Sequence, residues 1–281
     1  MQAPLVSIIV PCYQQAQYLS NTLDSVIAQT FQSWEGIIVN DGSTDNTEEI
    51  ALKYVEIDPR FRYFFQENQG VSAARNKAIN HSQGKYILPL DADDLITPSY
   101  IEHAVNYLES HPECKLVYGL CEKFGEENGL WNLPEYDFQK LLFDNMIFIA
   151  SVFRRIDFDK TIGFNENMRA GVEDWDFFLS LLGPDDKVFR LNEIVLKYRI
   201  KKSSRNTAAA RDDTMVFLHR IIYNNHKEYY QPFVEDIITY VRKCNATQTY
   251  IDRVNNSLSM KIGRLMTAPF GKIRDMFRRI I

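Results

Sequence analysis

Three carboxylates fall within four positions at Asp91-Ala92-Asp93-Asp94. They follow an apolar run, residues 85–90, long enough for one buried strand, and precede a helix start predicted at Thr97-Pro98. Carboxylates this close repel one another unless something positive sits among them. A hard divalent cation with oxygen ligands, shared with the phosphates of a substrate, would meet that need. The same residues also suit an Asp-rich turn that caps the next helix.

Other segments offer chemistry of the same kind. Asp41-Gly42-Ser43-Thr44-Asp45 lies between a predicted strand and a predicted helix. Asp41 there can accept hydrogen bonds from a nucleobase or ribose, while Ser43 or Asp45 can serve as a helix cap. Asn68-Gln69-Gly70-Val71-Ser72-Ala73-Ala74-Arg75-Asn76 is a glycine turn into a small-residue helix. Its Arg75 is a rigid donor fork for a diphosphate or base, or else half of a surface salt bridge. Glu173-Asp174 offers a general base, although acidic residues also favour a helix N-terminus through its dipole. The basic stretch 198–206 reads as a loop closing over phosphate or as a solvated linker. Residues 257–281 interleave apolar and basic side chains at helical spacing, which suits a membrane surface or a docking helix.

These groups need a scaffold that brings them together. Strand-length apolar runs at 5–10, 36–39, 61–65, 85–90 and 115–118 alternate with helical patterns, predicting an α/β protein whose mostly parallel sheet is flanked by helices. Each run ends in polar or turn residues, so the candidate groups gather at one sheet edge. Residues 1–110 form the first half of a domain ending near residue 210, and 111–210 a second half richer in aromatics. A helical extension, 211–281, follows.

The chain has 281 residues, 45% of them hydrophobic and 25% charged, enough for a sizeable core. A net charge of −5 gives no reason to expect nucleic acid as a partner. Four scattered cysteines match no zinc or redox spacing, and no apolar run reaches membrane-spanning length. With no signal peptide apparent, the expected setting is the cytoplasm, with peripheral membrane contact through the tail.

Taken in order, the blocks at 7–13, 23–30, 40–45, 70–76, 91–94 and 173–174 resemble the family 2 inverting glycosyltransferases of GT-A fold. The match covers about the first 205 residues. The resemblance implies that Pro11 and Tyr13 line the nucleotide site, Asp41 contacts the base and Arg75 helps hold the nucleotide. Asp91 then lies by the ribose, Ala92, Asp94 and Glu173 complete the donor site, Asp93 ligates Mn2+ or Mg2+, and Asp174 is the catalytic base. The implied reaction moves one sugar from a nucleotide-diphosphate sugar, with UDP the commonest nucleotide, to a hydroxyl of a glycan or lipid-linked acceptor in surface polysaccharide synthesis. Gln14 and Asn40 depart from the family's usual Asn and Asp. Lys201 stands near a position where many relatives carry His.

Two rival classes are weighed. A sugar nucleotidylyltransferase would open with a Gly- and Arg-rich loop, which Val10-Pro11-Cys12-Tyr13-Gln14 is not. A non-catalytic sugar-nucleotide-binding subunit would keep the fold and lose acids that are present here.

Overall fold

The computed structural model describes residues 4–201 and 212–257. The chain divides into two compact units, 1–226 and 227–281.

The first unit is built on a curled mixed sheet. Strands β1 (Val6–Cys12), β2 (Trp34–Asp41), β3 (Phe61–Gln66) and β4 (Tyr86–Pro89) pair in parallel in the order β3-β2-β1-β4. β1 and β2 are buried along their whole length, as their near-continuous apolar runs require. Helix α1 (Ala16–Ile27) turns Leu19, Thr22, Leu23 and Val26 inward, one face at helical spacing. Helices α2 (Thr47–Ile57) and α3 (Val71–Asn80) make the other crossovers. The alanines of α3 let it lie close against β1 and β2.

From β1 the chain winds outward to β3, then returns with β4 on the other side of β1. That reversal opens a crevice beyond the carboxyl ends of β1, β2 and β4. Residues 11–13, 41–45 and 91–94 follow those ends, so the sheet topology brings three separate sequence blocks to one edge.

Beyond β4 come β5 (Leu95–Ile96), α4 (Tyr100–Ser110), β6 (Cys114–Gly125), β7 (Gly129–Trp131), α5 (Phe138–Leu141), β8 (Val152–Arg154), α6 (Arg155–Phe158), α7 (Glu173–Leu181) and β9 (Lys187–Ile200). The sheet continues β4-β8-β6-β9-β5, with β7 on β6. β8 is antiparallel to both neighbours, so β6 and β9 run in the same sense as β4. The carboxyl end of β9 therefore reaches the edge that carries the acidic turn. β5 pairs with Leu196 and Lys197 of β9 and ties the two together.

The expected helix start at Thr97-Pro98 lies two residues early. The Thr97 amide instead donates to Val195 O at 3.0 Å, extending the β5 pairing, and α4 begins at Tyr100. β9 also takes in Tyr198–Ile200 from the basic segment read as a loop or a linker. The remainder of that basic segment, 202–206, lies outside the described residues. Helix α8 (Asp212–Asn225) completes the first unit, burying Leu218 and Ile222.

The second unit contains α9 (Lys227–Tyr230), a 3-10 turn (Gln231–Phe233) and α10 (Val234–Asn256). Among the described residues no helix is long and apolar enough to cross a membrane. The basic tail expected to touch a membrane lies at 258–281, outside the described residues.

Candidate active site

The acidic turn is held from three sides. Asp94 N donates to Asp91 O at 3.1 Å, closing the turn. The Asp94 carboxylate, 2% exposed, accepts the Arg199 amide at 2.8 Å, and its carbonyl accepts Thr22 Oγ1 at 2.8 Å. Asp94 is thus a latch joining the turn to β9 and α1. Burial, then the charges of Asp93 and Asp91, pushes its carboxyl well above the usual range. Asp91 accepts Arg75 Nη2 at 2.7 Å. Asp93 pairs with Lys201 Nζ, and its carbonyl accepts Arg199 Nε at 2.9 Å. Burial and the neighbouring Asp91 raise the Asp93 carboxyl, while Lys201 pulls it down.

A cleft of about 460 Å³ opens over this turn, lined among others by Pro11, Tyr13, Asp41, Asp91, Ala92 and Asp93. Asp41 is buried and its carboxylate receives three donors: Gln66 Nε2 at 2.8 Å, Gln69 N at 2.8 Å and Gly70 N at 2.9 Å. It shapes the wall of the cleft by fixing the loop that enters α3. Two glycines make this possible. Gly42 has φ +75° and a Cβ there would meet Asn68 N at 2.8 Å; Gly70 has φ +94°. Ser43 Oγ accepts Gln14 N at 3.0 Å and Asp45 accepts Ala16 N at 3.0 Å, so the polar residues after Asp41 stitch the β1 loop to the β2 loop. Asn40 accepts Ser43 N at 2.9 Å and donates to Tyr63 OH at 3.1 Å, a supporting role at that position.

A second cavity of about 230 Å³ adjoins the first and shares Asp91 and Tyr198 with it. Arg75, Asp94, Glu173 and Asp174 line it, together with Trp131, Asn145 and a wall of aliphatic side chains. Arg75 is 1% exposed, so the surface salt bridge considered for it is excluded. Its guanidinium bridges Asp91 and Glu173, with Nη1 3.0 Å from Glu173 Oε1, and lies 5.3 Å from the Phe164 ring centroid. Burial opposes its charge, but Asp91 and Glu173 more than offset that and hold it protonated. Arg75 is not among the residues lining the larger cleft; it links α3 to the start of α7.

Asp174 sits one residue into α7. Its carboxylate accepts Trp175 N at 2.8 Å and Asn145 Nδ2 at 3.1 Å. Burial first, then Glu173, raises its pKa to about 6, against the opposing pull of Arg75. Val172, the residue before the helix, has φ +54°, a left-handed conformation that is rare for a β-branched side chain. This turn aims α7 at the second cavity.

The donors present suit a hard cation in one particular way. Asp91 and Asp93 offer oxygen ligands in a cleft that also carries Arg169, Arg199 and Lys201. Among the described residues, no three His, Cys, Asp or Glu side chains are grouped to hold a metal unaided. The site therefore fits a cation completed by a substrate's phosphates rather than one resident in a protein cage.

Sequence reading found the acids and missed part of their surroundings. Trp131 and Asn145 line the second cavity, while Met146 is buried in the core. Arg169, Tyr198 and Arg199 also line the main cleft; the last two belong to the basic stretch read as a phosphate-closing loop or a linker, while Arg169 had no assigned role.

Comparison with known proteins agrees with this geometry. Residues 7–170 match the family described as Glycosyl transferase family 2. The chain is 31% identical over 216 residues to glycosyltransferase GlyA of Streptococcus pneumoniae serotype 4, covering 71% of this chain and 31% of the relative. It is 33% identical over 228 residues to the chondroitin synthase of Pasteurella multocida, covering 79% and 23%. The chain thus spans under a third of either relative's length. Among solved structures, residues 1–349 of Staphylococcus aureus TarS in complex with UDP-GlcNAc give a TM-score of 0.66 at 20% identity, over 79% of this chain and 66% of that one. The Pyrobaculum calidifontis mannosyltransferase PcManGT, in complex with GDP-Man and Mn2+, gives 0.62 at 19% identity, over 96% and 81%. At such identities the likeness speaks for the fold. The chain belongs to glycosyl transferase family 2, a family of sugar-transferring enzymes, and its α/β architecture is the GT-A fold.

Proposed function

We propose that this chain is an inverting, metal-assisted glycosyltransferase that moves one sugar from a nucleoside-diphosphate sugar to an acceptor hydroxyl. The observation that carries the reading is the pair of adjoining cavities. One combines acids with three cations, the other contains Asp174, and Asp91 and Tyr198 border both.

In this reading the nucleotide lies in the larger cleft, between the β1 and β2 loops, with Pro11, Tyr13, Asp41 and Ala92 around it. Asp91 stands by the ribose, and Asp93 is the residue that would hold Mn2+ or Mg2+. Such a cation stabilises the negative charge that develops on the departing diphosphate. Glu173 and Arg75 form the border toward the second cavity, and Asp94 fixes the turn. The acceptor enters the second cavity, where Asp174 takes the proton from its hydroxyl as that oxygen attacks the anomeric carbon. The bond to the diphosphate breaks on the opposite face, so configuration inverts and no enzyme nucleophile is needed.

The named relatives and neighbours support the substrate class. A chondroitin synthase favours a glycan acceptor, and UDP-GlcNAc and GDP-Man are donors bound by fold neighbours. A lipid-linked glycan would suit the apolar wall beside Asp174, and the basic tail would hold the protein at an anionic membrane face. The test is calorimetry of UDP-, GDP- and dTDP-sugars with Mn2+, followed by product analysis. Binding of one donor is expected, with the gain that Mn2+ brings to the intact protein lost in Asp93→Ala. An Asp93→Ala variant that binds the donor as tightly as the intact protein, both with Mn2+ and without it, would refute the role of Asp93.

A further inference from the structure

The larger cleft already contains a positive charge on the carboxylate assigned to the cation. Lys201 Nζ pairs with Asp93 Oδ2, and both side chains are largely buried. The placement is built rather than incidental, because Arg199 two residues earlier is locked. Its amide binds Asp94 Oδ1, its Nε binds Asp93 O, and its guanidinium lies 4.4 Å from the Tyr18 ring centroid and 4.3 Å from that of Phe124. Lys201 follows directly on Ile200, the last residue of β9. Its Nζ lies 5.5 Å from the Tyr18 centroid.

We propose that Lys201 is a built-in counter-cation for Asp93, one that gives the cleft a hold on nucleoside diphosphates without a divalent ion. The idea rests on the nucleotide site proposed above. A partly buried ammonium–carboxylate pair is screened less than a surface pair, so a divalent ion must displace Lys201 or share Asp93 with it. An ammonium has three donors on a flexible stem. It can keep one on Asp93 and turn others to a phosphate oxygen. The consequence is a weaker grip on free metal and a diphosphate affinity that survives chelation.

The test uses the full chain and Lys201→Met, titrated with UDP, GDP and dTDP in EDTA and in saturating Mn2+. Mn2+ binding to nucleotide-free protein is followed by electron paramagnetic resonance. The intact protein is expected to bind one nucleotide in EDTA within about tenfold of its Mn2+ affinity, since the ammonium supplies part of the charge. Lys201→Met should lose about tenfold or more in EDTA, change less than about threefold in Mn2+, and bind free Mn2+ at least about threefold more tightly. Lys201→Arg should restore EDTA binding, and Lys201→Gln replaces the Met variant should that one fold poorly. Nucleotide binding by the intact protein only with Mn2+, or equal EDTA affinities with and without the lysine, overturns the proposal. Absence of any nucleotide binding even with Mn2+ overturns the nucleotide site itself and this inference with it.

Discussion

In the proposed role of base, an aspartate gains from surroundings that raise its pKa toward neutral pH while leaving it ionised. Asp174 meets that condition through opposing neighbours: burial and Glu173 push it to about 6, and Arg75 restrains the rise. Glu173 is the weaker candidate for the same role, because its carboxylate is engaged by Arg75 while Asp174 is held only by an amide and a backbone N–H. A base must be ionised to accept a proton. Transfer is therefore expected to be full above pH 6 and to fall as pH drops through about 6, measured as kcat/KM. Arg75→Met removes the restraint and should move that acidic limb upward. Asp174→Asn is expected to lower kcat by roughly 10²–10⁴-fold while leaving donor affinity unchanged, the usual range for loss of a general base. Retention of most of the activity would move the base elsewhere.

At the scale of elements, the turn into α7 matters more than the helix itself. Val172 holds φ +54° beside Gly171 at φ +129°, and its carbonyl accepts Asp176 N at 3.1 Å. A strained residue of this kind costs about 1–3 kcal/mol and persists where the surroundings over-determine it. Val172→Gly relieves that strain and loses a partly buried side chain, so denaturant unfolding should shift by no more than about 1 kcal/mol. Its kcat should nevertheless fall about tenfold, because a flexible entry no longer fixes the approach of Asp174. Unchanged kcat would show that the turn does not position the base. This strain was illegible in Gly171-Val172. By contrast, β1 to β4, α1 and α3 were legible, because their apolar period coincides with their burial. β5, β7 and β8 were not, since strands of two or three residues take their form from the partner strand. Lys201 was visible as part of a basic stretch and, through the resemblance, near a position where many relatives carry His. Its meaning comes from the register of β9 beside the acidic turn, a tertiary fact.

On the scale of the whole molecule, sequence pattern placed a boundary near residue 210, whereas the first compact unit runs to His226 and includes α8. The reason is a polar anchor two residues beyond Asp174. Asp176, 2% exposed, accepts Asn225 Nδ2 at 2.8 Å and pairs with His226 Nε2 at 3.0 Å, and the Trp175 and His219 rings meet edge to face at 5.5 Å. A chain ended at residue 210 lacks those partners and uncovers Asp176. Loss of hydrogen bonds to that carboxylate should cost about 1.5–3 kcal/mol, before the apolar contacts of Leu218 and Ile222 are counted. A chain ended at residue 230 keeps the anchor and should unfold in urea within about 1 kcal/mol of the full-length protein. It should also keep donor binding, yet no longer pellet with anionic vesicles, because residues 258–281 carry the basic amphipathic pattern. Equal stability of the two shortened chains would show that α8 is dispensable to the catalytic unit. Equal pelleting of the full and 230-residue chains would remove the membrane role from the tail and leave α8 as the only part of the C-terminal region with an assigned task.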